Sequence, residues 1–455
     1  MSLVLAGLAL GPGAGRTMAQ NINAYDVPEI PELNVPLPLG HDRMNTGGFY
    51  TAVEFMYLRP NRAIGDQLIA VHGLIDTNGG ITGDPVLLFH NLIQTGVPGT
   101  FVGSKQPALM TSDFQEVSFQ PGCRTTIGYK FDNGIALSLS WLHLFEFKQI
   151  AEASGVAPFF NNRPDLADSV LFSPVFNFPA DFAGPRLKTS SDITAAQFFD
   201  SLLVTTPPGP RGTTLPRFNE PIGFTAYGIW NGANNMEISF TQRYDQWDLV
   251  GRIPVWETEY ARTYGLAGGR FAWFFDRFWW RTQDIGFSTN PVTNNNVIGG
   301  DPGNNPDAVQ FLTVSHPTDV ATYVNTLSQR MYGPELGCGY EIFLGKGFSL
   351  STELTGSLLL DIIKERAKYE LGDETVQNKR SRNELNFVPN INASFDLWWY
   401  PIRGIQMRVG YNFMGYFNVK EMTRPVGFNY GAIEYRNDDR FRFLQGINAG
   451  IGFIF

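Results

Sequence analysis

The sequence predicts an all-β fold: a transmembrane, antiparallel, up-and-down β-barrel of about ten strands, with twelve as the alternative count. Three observations lead to this prediction. Apolar and polar residues alternate with period two along several segments, which is the pattern of strands with two unlike faces. Short turns and long connections follow each other along the chain, as they do in outer-membrane barrels. Charged residues make up only 17% of the 455 residues, whereas aromatic residues reach 14%.

Composition narrows the possible classes of function. The chain has 34 lysine and arginine residues against 43 acidic residues, a net charge of -9, so nucleic acid is not an expected partner. Its 48 glycines and 29 prolines favour turns over long helices. No run of about 18 apolar residues occurs outside the first few positions, so no helical membrane span is predicted. A barrel remains open, because its strands carry a weaker signal.

The N-terminal segment indicates export. Residues 3–10 (LVLAGLAL) form a short apolar run, and small residues precede a cleavage site after Ala19, which is typical of a signal peptide over residues 1–19. Residues 20–47 contain closely spaced prolines and are expected to form an extended periplasmic segment. We therefore expect the remaining domain, residues 48–455, in the bacterial outer membrane.

The first predicted strand covers residues 48–58. Phe49, Val53 and Phe55 share one face of this strand, whereas Glu54 lies on the other. A carboxylate that faces lipid is costly, so Glu54 is expected to point into the barrel. The apolar face then meets the acyl chains.

Two strands, one ending at Phe131 and the next beginning at Ile135, flank an Asp-Asn-Gly turn whose residues accept positive φ. Pairing Phe131 with Ile135 gives both strands the same apolar face. Arg124 and Lys130 then lie on the inner face. A slip of one residue would turn both cations into lipid, at roughly 2–4 kcal/mol each near the midplane.

A second hairpin turns at residues 345–347 (GKG). One face of its two strands carries leucine, isoleucine and aromatic side chains. Glu341 and Glu353, together with serine and threonine, occupy the other face and are predicted to point inward.

A third hairpin turns at residues 400–404. Pairing Trp399 with Ile405 sets Asp396 opposite Arg408 on the polar face of the two strands. The sequence therefore predicts an Asp396–Arg408 ion pair inside the barrel.

A fourth hairpin, around residues 254–257, is less regular. Met236 and Ile238 alternate with Glu237 and Arg243 in its first strand. The apolar set is expected outside and the charged set inside. The returning strand ends in an aromatic-rich run, which is expected to form the aromatic girdle at the outer water interface.

Residues 441–455 (FRFLQGINAGIGFIF) predict the closing strand. Phe443, Ile447 and Ile451 fall on one side, and small or polar residues fall on the other. A free edge of this kind is an aggregation hazard in a soluble protein, whereas pairing in a barrel removes the edge. The sequence ends on Phe455. The expected partners are outer-membrane lipid and, through this strand, the barrel-assembly machinery.

Short and long connections segregate to opposite ends of the predicted strands. The short turns are assigned to the periplasm and the long connections to the cell exterior. A soluble sandwich has no reason to sort its loops by length in this way, so the membrane barrel is preferred. The long connections are residues 59–114, 148–235, 281–328, 361–384 and 418–440.

Three stretches resemble the Legionella-type pore-forming outer-membrane barrel proteins and their planctomycete relatives. These are GFYTAVEFMYLRP at residues 48–60, YGLAGGRFAWF at 264–274 and GINAGIGFIF at 446–455. The resemblance implies an outer-membrane pore. It supplies no catalytic residues.

The sequence does not predict an enzyme, a cofactor or a metal site. None of the five histidines pairs with another histidine or a cysteine at metal-ligand spacing, and the nucleophile and phosphate-loop motifs are absent. His90, His143 and His316 are the candidate bases for a barrel hydrolase, but solvated or rim histidines are favoured. Residues 301–307 favour a polar turn over a calcium site.

The inward-facing charges define the candidate site, and two interpretations stay open. They line a narrow, water-filled pore for ions or small solutes, or they pair across a filled lumen and hold the barrel together. Ten strands lie close to the eight that side chains can fill, so a narrow lumen is expected. The alternative function is a structural or adhesive surface protein that displays its loops; the oligomeric state is not predicted. The predicted pore-lining residues are Arg124, Lys130, Glu237, Arg243, Arg270, Glu341, Glu353, Asp396 and Arg408.

Overall fold

A computed structural model describes residues 48–76, 85–88, 91–94, 100–155, 171–177, 228–233, 235–258, 260–283, 320–372, 374, 377–402 and 404–455. The expected signal peptide and periplasmic segment lie outside these residues. The strands are β1 (Gly48–Pro60), β2 (Leu68–His72), β3 (Leu74–Asp76), β4 (Pro85–Leu88), β5 (Asn91–Gln94), β6 (Thr100–Val102), β7 (Pro107–Met110), β8 (Gln120–Lys130), β9 (Ala136–Ser154), β10 (Leu171–Phe172), β11 (Asn235–Glu257), β12 (Ala261–Gln283), β13 (Val320–Gly345), β14 (Phe348–Leu371), β15 (Gln377–Ile402), β16 (Ile405–Arg424) and β17 (Arg436–Ile454). A 3₁₀-helix (Thr111–Asp113) and α1 (Gly228–Asn231) are the described helices. Within the described ranges, no helix has the length and apolar character needed to span a bilayer.

Ten strands form one closed, antiparallel barrel in the order β1-β17-β16-β15-β14-β13-β12-β11-β9-β8. The first and last strands close the ring: Thr51 of β1 pairs with Phe453 of β17 on one side and with Ile127 of β8 on the other. The predicted all-β fold and the count of ten are confirmed. The seven other described strands form small sheets in the connections at the loop end of the barrel.

The first hairpin has the predicted register. Tyr129 pairs with Leu137 and Thr125 pairs with Trp141. The Phe131 amide donates to the Ile135 carbonyl at 2.8 Å. Gly134 takes a φ of 81° in the turn, which a residue without Cβ adopts freely.

The register predicted for the third hairpin is wrong by two residues. Trp399 pairs with Met407, and Ile402 pairs with Ile405, because β15 continues three residues past Trp399 before the chain turns. Side chains alternate with period two, so a shift of two leaves every residue on its predicted face. Asp396 is therefore diagonal to Arg408 and still beside it.

The predicted orientation of the loop-end half of β11 is also wrong. Met236 and Ile238 are fully buried inside the barrel, so Glu237 and Arg243, on the alternate face, point outward. The reason is a change of surroundings along the strand. Nearer the periplasm the outer wall is apolar and the lumen polar, whereas at the loop end the lumen is packed with apolar side chains and the outer wall is polar.

The same change explains why several strands run further than predicted. β13 begins at Val320, β14 ends at Leu371 and β15 begins at Gln377, inside connections expected to be loops. Beyond the apolar belt the outward residues are polar, so the alternation that marks a strand fades. The aromatic run predicted to form the outer girdle is split between the two faces of β12. Phe274, Phe278 and Trp280 point inward and are buried, so only the alternate aromatic residues face outward.

A belt of exposed apolar side chains surrounds the periplasmic half of the barrel. Nine of the ten barrel strands contribute to it, the exception being β12, and many of these side chains keep 40–70% of their surface exposed. Such a belt on a closed ring of strands is stable only against acyl chains. Representative members are Phe49, Val53, Ile127, Leu139, Leu249, Leu336, Leu354, Phe395, Val409 and Ile447.

Candidate functional site

The candidate site is the lumen, which has four levels between the periplasmic turns and the long connections. A closed base comes first, followed by a polar chamber, an apolar layer and an outer plug. Each level is built from the inward-facing residues of consecutive ladder rows, and the outer plug also includes segments of the long connections.

At the base, Glu341 of β13 is fully buried and accepts hydrogen bonds from Arg262 and from Ser349 Oγ, the latter at 2.7 Å. Tyr50 and Trp398 pack together at the same end and are 3% and 6% exposed. The Arg262–Glu341 ion pair and the rings of Tyr50 and Trp398 together close this end of the lumen.

Above the base lies the polar chamber, defined by Arg124, Asp248, Arg252, Glu353 and Arg408. Their side chains keep between 12% and 21% exposure, in contrast to the near-complete burial of the levels above. Because these strands are within the belt, the chamber is the least tightly packed part of the membrane-spanning lumen.

Arg408 organises one wall of the chamber. Its guanidinium donates to Asp396 twice at 2.8 Å and to Glu54 Oε1 at 2.9 Å. Arg124 lies 3.5 Å from the other Glu54 oxygen. The predicted Asp396–Arg408 ion pair is confirmed, although Asp396 is 1% exposed and lies behind the arginine.

The facing wall has a second network. Arg252 of β11 reaches Glu353 of β14 at 3.1 Å, and the Tyr264 hydroxyl donates to the same carboxylate at 2.7 Å. Arg270 donates to Asp248 at 2.7 Å and also contacts Glu335. Four arginines thus face five carboxylates across the two networks, a formal sum of -1.

The apolar layer closes the lumen above the chamber. It is built from the inward-facing side chains Met56, Leu58, Leu142, Leu144, Tyr244, Ala272, Phe274, Met331, Leu359, Val388, Met414, Tyr416, Val419 and Leu444. Two contacts cross the lumen here, each between strands five positions apart in the ring of ten. The hydroxyls of Tyr244 and Tyr416 are 2.6 Å apart. Arg442 binds both carboxylate oxygens of Asp276.

The outer plug fills the loop end. Parts of the connections at residues 61–70, 109–114, 171–175, 229–233 and 425–433 enter the ring and pack on inward-facing residues such as Phe240, Trp280, Tyr323 and Tyr369. Polar contacts fix these segments in place. The Gln67 side chain bonds both backbone groups of Val426 at 2.8 and 2.9 Å, and Tyr323 and Tyr369 donate to the carbonyls of Pro425 and Gly427. Burial in the plug raises the pKa of Tyr430 above its ordinary value.

The structure places seven of the nine predicted pore-lining residues on the inner face and brings five of them into the chamber or directly behind it. Arg243 instead ion-pairs with Glu146 on the outer wall, and Glu237 is outside as well. The residues in the lumen are Arg124, Lys130, Arg270, Glu341, Glu353, Asp396 and Arg408.

Sequence reasoning missed Asp248 and Arg252, since the face of β11 was assigned from its loop-end half. Leu249 and Ile253 are exposed belt residues of the same strand, and counting from them gives the correct face. His143 lies on the outer wall, as predicted, with Nδ1 2.7 Å from Asp245. His90, His316 and residues 301–307 are outside the described part of the chain. Among the described residues, no group of three or more histidine, cysteine or carboxylate side chains is arranged to hold a metal.

No protein-family model matches the chain, and no curated protein matches it either. Among solved structures, the outer-membrane protease OmpT of Escherichia coli is 8% identical, with 90% of this chain and 97% of that chain covered and a TM-score of 0.35. A Pseudomonas aeruginosa FadL homologue is 8% identical over 90% of each chain, TM-score 0.19. An anion-selective porin from Comamonas acidovorans is 8% identical over 90% and 99%, TM-score 0.13. Scores this low transfer no function.

The closed ring of ten antiparallel strands and its apolar belt define the class of protein. Such a ring leaves no unpaired strand edge in the hydrocarbon region, and its belt faces the acyl chains. The chain is a transmembrane β-barrel of the bacterial outer membrane.

Proposed function

We propose that this barrel is a narrow passive pore for ions or small solutes and that the lumen is in a closed state here. The observation that carries the proposal is the polar chamber. Charges of both signs keep 12–21% of their side-chain surface accessible inside the membrane-spanning half, whereas a lumen that is only a filled support is expected to pack such groups completely. The resemblance of three sequence stretches to pore-forming barrels supports the same proposal.

In the proposed mechanism, the lumen is closed by the base, the apolar layer and the outer plug, and opening also parts Arg262 from Glu341 at the base. Water avoids a constriction lined by methionine, leucine and aromatic rings, and hydrophobic constrictions gate channels by dewetting. Opening separates Tyr244 from Tyr416 and Arg442 from Asp276, and withdraws the plug segments. A solute then diffuses through the chamber, where paired charges on the two walls select by sign and size.

The experiment is conductance of the purified full chain in planar bilayers. The comparison is between the wild type and Gln67→Ala, which removes both hydrogen bonds that hold residue 426 in the plug. We expect rare current steps from the wild type and more frequent steps from the variant. An absence of current from both proteins, where a known porin conducts in the same bilayer, contradicts the proposal.

The second candidate is a surface protein whose barrel displays its connections and conducts nothing. The observation in its favour is that two of the four lumen levels are filled by side chains with almost no exposure. Under this function the Gln67→Ala variant stays silent in bilayers. Removal of a connection then affects cell-surface binding and leaves permeability unchanged.

A further inference from the structure

The outer wall carries a cluster of cations just beyond the apolar belt. Along β14 the outward side chains are leucine or isoleucine at residues 358, 360 and 362, and lysine or arginine at 364, 366 and 368. The change falls where the hydrocarbon region gives way to the lipid headgroups. In a chain with net charge -9, such a concentration of positive charge needs a partner.

Neighbouring strands extend this cluster into a patch. Arg277 of β12 pairs with Thr326 of β13, which in turn pairs with Arg366 of β14. One row nearer the periplasm, Ser328 pairs with Lys364. Arg330 follows two residues further along β13. We define the basic outer patch as Arg277, Ser328, Arg330, Lys364 and Arg366.

The cations of this patch are not neutralised by acidic side chains of the described residues. No described carboxylate forms an ion pair with Arg277, Arg330, Lys364 or Arg366. The nearby outward acids Glu146 and Glu370 are taken by Arg243 and Lys368, so they do not neutralise the patch.

Aromatic rings of the girdle hold the patch in position. The guanidinium of Arg277 lies 5.3 Å from the centroid of Phe275, and that of Arg330 lies 5.9 Å from Trp273. Trp273 Nε1 donates to Ser328 Oγ at 3.0 Å. The Ser328 oxygen accepts from the indole, so its own proton stays available for a further acceptor among the cations.

We propose that the basic outer patch binds the phosphate of an anionic lipid in the outer leaflet. Guanidinium groups bind phosphate oxygens through paired N–H donors, and a serine hydroxyl adds a neutral donor. The apolar belt continues directly below, with Leu358, Leu360 and Ile362 placed to contact the acyl chains of the same lipid. Phosphate above and acyl chain below fit a membrane lipid and not a soluble anion.

The test measures lipid binding to the detergent-purified full chain by native mass spectrometry. Phosphatidylglycerol is compared with phosphatidylcholine of the same acyl chains, and inorganic phosphate is added as a competitor. The variant is Arg277→Gln/Arg330→Gln/Arg366→Gln. The matched control, Lys105→Gln/Lys346→Gln/Arg440→Gln, removes three exposed cations outside the patch. Ser328→Ala is a milder variant that retains every charge.

We expect the wild type to retain phosphatidylglycerol selectively, and the patch variant to bind it about tenfold less tightly or worse. The control keeps wild-type affinity, and Ser328→Ala shows a smaller loss in the same direction. Equal binding of both lipids by the wild type, or unchanged affinity in a folded patch variant, overturns the proposal. So does displacement of the lipid by inorganic phosphate at equal concentration, since it assigns the site to a soluble anion.

Discussion

Arg442 on β17 and Asp276 on β12 bind each other across the full width of the barrel. Two guanidinium nitrogens reach the two carboxylate oxygens at 2.7 and 3.0 Å, and the side chains are 2% and 0% exposed. The guanidinium also lies 4.2 Å from the centroid of Phe274. This ion pair connects opposite walls of the barrel at the level of the apolar layer.

Removal of one member of this pair is expected to destabilise the barrel more than removal of both. Asp276→Leu removes the carboxylate that binds both nitrogens of the buried guanidinium, which costs about 3–5 kcal/mol, whereas a pair replaced by apolar residues is often tolerated. The measurement is the free energy of unfolding in urea, followed by heat-modifiable migration, for Asp276→Leu and for the double variant Asp276→Leu/Arg442→Leu. Additive losses in Asp276→Leu/Arg442→Leu contradict a direct coupling.

How far the sequence predicts this molecule depends on where a residue lies along the barrel axis. Within the belt, apolar residues face outward and polar residues face inward, so the alternation correctly predicts the inward faces of Lys130, Glu353 and Asp396. At the loop end the meaning reverses, because the plug makes the interior apolar. The loop-end half of β11 does not report that reversal by itself, so the predicted wall of Glu237 and Arg243 is wrong; only the belt residues of the same strand, Leu249 and Ile253, indicate the correct face.

Contacts across the lumen are beyond sequence reasoning for a different reason. Arg442 and Asp276 are 166 residues apart, and their meeting depends on strand count and stagger around the whole ring. Local pairing, such as Phe131 with Ile135, depends only on a turn. The Asp396–Arg408 pair was predicted correctly despite the wrong register for two reasons. The two residues are on neighbouring strands, and a register shift of two residues leaves both side chains on the same face.

The chamber predicts ion selectivity. Glu353→Gln removes one negative charge from the chamber wall, so we expect the reversal potential in a salt gradient to move toward anion preference. Glu237→Gln is the matched control, because it removes the same charge from the outer wall. A shift of equal size in both variants contradicts the assignment of Glu353 to the conducting path.

The tyrosine pair predicts the behaviour of the closure. Tyr416→Ala removes a fully buried ring and its hydroxyl contact with Tyr244, and is expected to open a path through the apolar layer. Longer or larger current steps in planar bilayers are the expected result. Tyr416→Phe removes the hydroxyl alone and separates the effect of the hydrogen bond from that of the ring. If Tyr416→Ala conducts no better than the wild type, the closure lies elsewhere.

The apolar belt predicts a position-dependent cost of charge on the outer wall. Leu354 points outward in the belt with 49% of its surface exposed, and Leu354→Arg places a cation against acyl chains. We expect a loss of roughly 2–4 kcal/mol in the free energy of unfolding from lipid vesicles, the value for arginine near a bilayer midplane.

Ser381→Arg is the control. Ser381 is outward on β15 opposite Arg366, beyond the belt, so its substitution is expected to change stability by less than about 0.5 kcal/mol. In detergent micelles, which adapt to the protein surface, the difference between the two variants should shrink. A large cost at Ser381 together with a small cost at Leu354 would place the membrane at the other end of the strands and reverse the assignment of base and plug.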